Sequence, residues 1–335
     1  MTHVSRIFAL PFLLVCAGCS GWQSALDPHG FPALTLNALI WFIVVVCTAV
    51  WLLVMLVLAH ALWRWRPERA QPFAIDAGIE HRMTIVVTGA IVLTALIVTS
   101  FCIASFLTTR ALVNADRDAL VIRVRGYQWW WEITYLHQSP DQVFTTANEI
   151  HIPVGRPVRV ELEAADVIHS FWVPSLAGKQ DLIPGRANAI MFSAERAGVY
   201  RGQCAEFCGL QHAHMALLVI AEEPAQFEMW QETQLATSSA PVDEEQRHGQ
   251  QVFLAKACAA CHAVRGTAAA GTLGPDLTHI GSRRTIAAGV FENTRGSLAA
   301  WIADPQTIKP GNNMPMIPLT PDELKAVSAY MVSLK

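Results

Sequence analysis

Hydrophobic positions fall into three patterns along this chain. Near the N-terminus an apolar run, Ile7 to Val15, follows Arg6 and ends at the small residues Ala17 and Gly18, just before Cys19. That run is too short to span a bilayer and has the build of an export signal, so residues 1–18 read as a leader. Two longer runs, Ala38 to Ala59 and Thr84 to Leu107, carry no formal charge and are long enough to cross a membrane. They predict transmembrane helices at 36–62 and 84–107, joined by a loop at 63–83. Short β-branched or alternating runs follow, at Leu120–Val124, Glu149–Pro153, Pro157–Leu162, Ala189–Phe192 and Ala216–Ile220, punctuated by Pro and Gly. Strands at this spacing predict a β-sandwich or barrel over 115–225. Residues 226–243 turn polar and small and read as a linker, with helices predicted at Glu244–Ala257 and Pro321–Leu334 in a terminal region of 244–335.

Charge orients the hairpin. The 63–83 loop carries Arg64, Arg66, Arg69 and Arg82, whereas the segment from Cys19 to Thr35 has neither Lys nor Arg. The loop is therefore expected in the cytoplasm, and residues 19–35 and everything after the second span outside it. Two apolar helices without a buried charge form no transport path alone, so a larger membrane partner is expected. A chain of 335 residues leaves room for about two soluble domains, and a net charge of -3 offers no basic patch for nucleic acid.

Candidate chemistry gathers at two places. Cys204, Cys208, His212 and Met215 fall within a dozen residues, and thiolate, imidazole and thioether together select copper over hard cations. No second Cys pair lies nearby to complete a zinc tetrahedron, so a further ligand is expected from elsewhere, and His169 in Asp166–Pro174 supplies it. The competing reading is a Cys204–Cys208 disulfide, which leaves the His and Met spacing unexplained. Further on, Cys258-Ala259-Ala260-Cys261-His262 is a c-type haem attachment motif: the two thiols bond the porphyrin and His262 is the expected iron ligand. The sixth ligand is expected to be Met314, with Met316 as its rival and Met331 assigned to the core.

These residues resemble the binuclear CuA centre of cytochrome c oxidase subunit II, and the chain as a whole resembles the caa-type, in which a cytochrome c is fused at the C-terminus. The resemblance implies a multidomain protein: a two-helix transmembrane hairpin, a cupredoxin-like β-barrel or sandwich, and an all-α class I cytochrome c domain. It implies that Cys204 and Cys208 bridge two coppers, that His169 and His212 cap one each, and that Met215 and the Glu206 carbonyl are weak ligands. It further implies a magnesium on the Glu206 carboxylate where the catalytic subunit docks, electron acceptance at Trp129, and a proton pathway starting at Glu80. The Gly274–Leu277 loop matches the one whose carbonyl orients the proximal His, and Cys19 resembles the lipidation site of bacterial lipoproteins. The expected partners are the haem–copper subunit I, subunit III, and an external donor, either a cytochrome c or a quinol–cytochrome c reductase. The expected location is the bacterial inner membrane, with the large domains periplasmic. The alternatives are a CuA-bearing subunit of a nitric oxide reductase and a stand-alone membrane-anchored electron carrier.

Overall fold

The computed structural model describes residues 20–64, 77–112 and 118–335. The export signal, Cys19 and the loop arginines Arg66 and Arg69 lie outside the described residues. The chain separates into a helical unit, residues 34–114, and a second unit made of the remainder.

Helices α1 (Phe31–Arg64) and α2 (Ala77–Leu112) outrun the charge-free stretches that predict them, because no Pro or Gly breaks either pattern at the ends of those stretches. Both are long and apolar enough to cross a membrane, and Phe42 packs edge-on against Phe101 at 5.5 Å. Hydroxyls on α2 return to their own helix, as in Thr84 to the Glu80 carbonyl and Thr94 to the Ala90 carbonyl, each at 2.9 Å. Polar groups satisfied in this way are compatible with lipid. Residues 77–83, expected in the loop, are helical, which puts Glu80 in the first turn of α2 where the dipole favours a carboxylate.

In the larger unit ten strands form two packed sheets ordered β3-β2-β1-β5-β8 and β4-β10-β9-β6-β7. The first sheet comprises β1 (Leu120–Tyr127), β2 (Trp130–Tyr135), β3 (Phe144–Ala147), β5 (Val158–Ala164) and β8 (Asn188–Phe192). The second comprises β4 (Glu149–Pro153), β6 (His169–Trp172), β7 (Lys179–Leu182), β9 (Gly198–Cys204) and β10 (Ala216–Glu222). Inward positions such as Ile122, Val124, Ile133, Ile150, Leu162, Phe171 and Val219 lose all contact with solvent, each contributing about 1.5–3 kcal/mol. Ahead of α1, residues 22–29 are strapped onto this sandwich: the Arg201 N–H donates to the Trp22 carbonyl at 3.0 Å and the Glu195 N–H to the His29 carbonyl at 2.8 Å.

A further feature differs from expectation. Helix α3 (Pro224–Leu235) occupies much of the expected 226–243 linker. Phe227, Trp230 and Gln234 fall on one helical face, and Trp230 packs on Tyr135, Phe144 and His151, so only residues 236–243 remain extended. Of the three consecutive tryptophans 129–131, Trp130 and Trp131 lie on β2. Gln128 and Trp129 form the β1–β2 turn, Trp131 is fully buried, and Trp130 faces outward and stacks on Tyr127 at 4.7 Å.

The C-terminal part is helical: α4 (Glu244–Ala255), α5 (Cys258–Cys261), α6 (Arg295–Ala303), α7 (Pro305–Ile308) and α8 (Pro321–Ser333), with a two-stranded hairpin of β11 (Thr285–Ile286) and β12 (Phe291–Glu292) added to the helical pattern. Asp243 caps α4, and Thr320 with Glu323 forms a capping box on α8. Helices α4 and α8 meet at Gly249, where a Cβ would run into the Ala326 backbone and come within 2.8 Å of the Tyr330 Cβ. Gly249→Val is therefore expected to destabilise this domain by about 1–3 kcal/mol, seen as a lower midpoint when the haem band is followed on heating. An unchanged midpoint contradicts the packing described.

Candidate copper and haem centres

Sheet pairing builds the first centre. Strand β6 lies beside β9 with Phe171 opposite Cys204, which carries His169 to the mouth of the loop between β9 and β10. That loop closes through the Cys204 N–H to the Met215 carbonyl at 2.9 Å, and the Ala205 N–H to the Ser170 carbonyl at 3.0 Å. Gly209, at φ +113°, lets the loop pass under Trp129, whose ring a Cβ there would approach to 3.2 Å.

Within the loop the Cys204 and Cys208 sulfurs stand 3.7 Å apart. A disulfide needs about 2.05 Å, so these are free thiols and the disulfide reading is set aside. Each sulfur has its own partners. Cys204 Sγ faces His169 Nδ1 at 4.0 Å and the Glu206 carbonyl at 3.2 Å, whereas Cys208 Sγ faces His212 Nδ1 at 3.6 Å and Met215 Sδ at 3.8 Å. The nest therefore has two halves, each with a shared thiol, one imidazole and one weaker donor. The donor atoms of His169, Cys204 and Cys208 lie within 4.8 Å of one another, and all three residues are buried. His214 takes no part; its ring nitrogen bonds the Gln211 side chain at 2.9 Å. The two thiols compete for one proton: donation by Cys208 draws Cys204 down, and the same contact pushes Cys208 up. A metal that takes both as thiolates must expel that proton.

Asp166 was not singled out as a functional residue from the sequence. Its carboxylate sits 2.8 Å from His169 Nε2 and also accepts the Gln128 N–H at 2.6 Å and the Val167 N–H at 2.7 Å. Burial opposes protonation of His169, but hydrogen bonding with Cys204 and Asp166 outweighs it and raises the imidazole. A carboxylate behind a ligating imidazole fixes its ring orientation. Asp166→Ala is expected to weaken copper retention about 10–100-fold in a chelator titration, and retention equal to the parent contradicts that role.

Trp129 is only 8% exposed, and its indole N–H donates to the Cys208 carbonyl at 3.0 Å, as does the Gln128 side-chain amide at 2.8 Å. Glu206 is half-buried with its carbonyl toward Cys204.

The second centre rests on α5, which places Cys258 and Cys261 one turn apart with His262 at its C-terminal end. His262 Nδ1 lies 2.8 Å from the Pro275 carbonyl, so Nδ1 carries the proton and Nε2 keeps a lone pair for iron. Burial pushes this imidazole down, which keeps it neutral and ligand-ready. Gly274 lies flat against the ring, where a Cβ would fall 2.6 Å from Cε1. Met314 is half-buried in a segment pinned by Asn312 Oδ1 and by Gln306 Nε2, each at 2.8 Å; Met316 is 58% exposed and Met331 is buried in the core. Both donor sets suit the groups expected: soft sulfur with imidazole for copper, and two thiols with a lone-pair imidazole for haem.

A thiol–imidazole–thioether nest and a haem-attachment helix on one chain define a redox-metal protein of two soluble domains. The model of the family described as cytochrome C oxidase subunit II, periplasmic domain, matches residues 134–222, and that described as cytochrome c matches residues 246–335. Cytochrome c oxidase subunit 2 of Alkalihalophilus pseudofirmus is 36% identical, with 99% of this chain and 97% of that protein covered. The Bacillus subtilis protein of the same name is 34% identical over 65% of this chain and 63% of its own length. Among solved structures, the periplasmic domain of subunit II of cytochrome oxidase from Bradyrhizobium japonicum is 33% identical, covering 36% of this chain and 96% of that one with a TM-score of 0.34. The chain belongs to the cytochrome c oxidase subunit 2 family, in the form that carries a fused cytochrome c domain. It is accordingly one subunit of a haem–copper oxidoreductase, with two helices long and apolar enough to cross a membrane.

Proposed function

We propose that this chain receives electrons from an external donor at its own haem, relays them through a binuclear copper centre, and delivers them to subunit I, where oxygen is reduced to water and protons are pumped. When bound, the haem and the copper pair supply one-electron redox chemistry with little change of geometry. The chain's residues do the holding. Cys258 and Cys261 would bond the haem, His262 and Met314 would hold its iron, and the six donors His169, Cys204, the Glu206 carbonyl, Cys208, His212 and Met215 would hold the copper pair in a dry nest. Soft, rigid ligation without an open position fits electron transfer rather than substrate turnover. The Glu206 carboxylate is assigned to a magnesium against subunit I, Glu80 to the start of a proton pathway, and Cys19 to a lipid on the outer face of the inner membrane. Subunit III and a cytochrome c or quinol–cytochrome c reductase complete the set of partners.

The observation that carries this reading is the division of the copper nest into two halves sharing two free thiols, 3.7 Å apart, on the same chain as a haem-attachment helix. Gas consumption by the purified membrane complex tests it. Oxygen uptake without nitric oxide turnover is expected; nitric oxide reduction without oxygen uptake would overturn it.

A further inference from the structure

Lys309 lies on the short path from α7 to Met314, and a lysine in a polar loop ordinarily points to water. Here it is 2% exposed. Its ammonium donates to three carbonyls: Trp129 at 2.7 Å, His214 at 2.7 Å and Ala287 at 3.1 Å. The first two belong to the copper domain and the third to the haem domain that carries Lys309 itself, so two of the three protons of this buried group reach across to the copper domain and the third ties it to its own. Burial pushes this ammonium down, to about 7, while the Cys208 sulfur pulls the other way.

More bonds cross the same seam. The Ala216 N–H donates to the Ala288 carbonyl at 3.0 Å, and the Gln211 side-chain amide to the Pro310 carbonyl at 2.9 Å. Buried Glu149, at the start of β4, accepts the Arg284 N–H at 2.6 Å and the Thr285 N–H at 2.9 Å. Ala287 and Ala288 hold φ of +54° and +59°, a conformation that alanine rarely adopts, and theirs are the carbonyls that reach Lys309 and Ala216. Such strain persists only where the surroundings over-determine it. A domain swinging freely on a tether needs none of this.

The seam also sets a path. A Cβ on Gly311 would lie 3.6 Å from the Trp129 ring and 3.5 Å from Leu210, so the backbone three residues before Met314 rests on the tryptophan. That indole donates to the Cys208 carbonyl at 3.0 Å. Haem-ligand segment, indole and copper-ligand loop are thus in unbroken contact, and the haem domain covers the ring at which an outside donor was expected to act.

We propose that Lys309 is a positioning residue, a latch that holds the haem domain on the copper loop, makes the Gly311–Trp129 contact the intrachain electron route, and closes Trp129 to external donors. The direction of flow rests on the function proposed above, whereas the latch itself does not. The experiment is Lys309→Met in the intact oxidase complex. Covalent haem and copper content should equal the parent's, while haem-to-copper electron transfer after rapid mixing with reductant slows about tenfold or more, because charge-assisted bonds at a buried seam are lost. Amide hydrogen exchange should rise at residues 284–289 and 214–216 and stay unchanged in α4 and α8. Added soluble cytochrome c should gain a phase of copper reduction that bypasses the haem. Unchanged exchange at the two seam segments, or an unchanged transfer rate, overturns the proposal. So does a rise that spreads through α4 and α8, since that marks a merely structural lysine. If Lys309→Met does not accumulate with haem, Glu149→Gln at the other end of the seam should give the same localised pattern at smaller amplitude, and its absence there is equally fatal. Failure of the respiratory reading would appear in gas consumption and leave the exchange pattern intact.

Discussion

Cys208→Ser will empty the copper centre while leaving the haem in place. Cys208 touches Cys204, His212 and Met215 within 3.8 Å, so its loss dismantles one half of the nest and removes the bridge to the other. A serine oxygen is hard and poorly ionised where a soft thiolate is needed. Since changes behind a metal ligand already cost about 10–100-fold, loss of a bridging ligand should lower donor-driven oxygen uptake by about two orders of magnitude or more. Copper per complex should fall by the pair, with the near-infrared copper absorption gone and the covalent haem still reducible. Retention of both coppers would contradict the assignment of Cys208 as a bridge.

The double replacement Cys258→Ala with Cys261→Ala should have the converse effect. Both thiols sit on α5 with the His262 imidazole held by the Pro275 carbonyl, and removal of both leaves that ring without a covalently placed porphyrin. Denatured chain should carry no haem, copper content should be unchanged, and oxygen uptake from the external donor should fall about 100-fold because a tethered donor is replaced by diffusional encounter. The buried position of Trp129 strengthens this expectation, since a soluble donor finds that ring covered. Near-parent turnover in this variant would mean that electrons reach copper by another way.

Strands with clean alternation and β-branched residues, such as Glu149–Pro153 and Leu120–Val124, are legible in the sequence, as are both apolar helices and the capped helices α4 and α8. Strands β2 and β9 are not, because an aromatic cluster in one and Gly and Arg in the other blur the period of two. Helix α3 hides in a polar stretch: its apolar positions are few, and only the rings of Tyr135 and Phe144 show which face they make. Of the copper nest, the short-range spacing from Cys204 to Met215 is visible in the sequence, and His169 shows as a second motif. Its convergence is a product of β6–β9 pairing. Asp166, Glu149 and Lys309 carry no local signal. Lys309 meets Trp129 across 180 positions, and only the docked fold turns what reads as a solvated lysine into a buried one.

The order in which the two centres are reduced tests the central claim most directly. When the purified complex is mixed with its reduced donor and followed at the haem and near-infrared copper bands, the covalent haem should reduce first, with copper following at a rate set by it. Copper that reduces ahead of the haem, at full rate, would contradict a relay that begins at His262 and Met314.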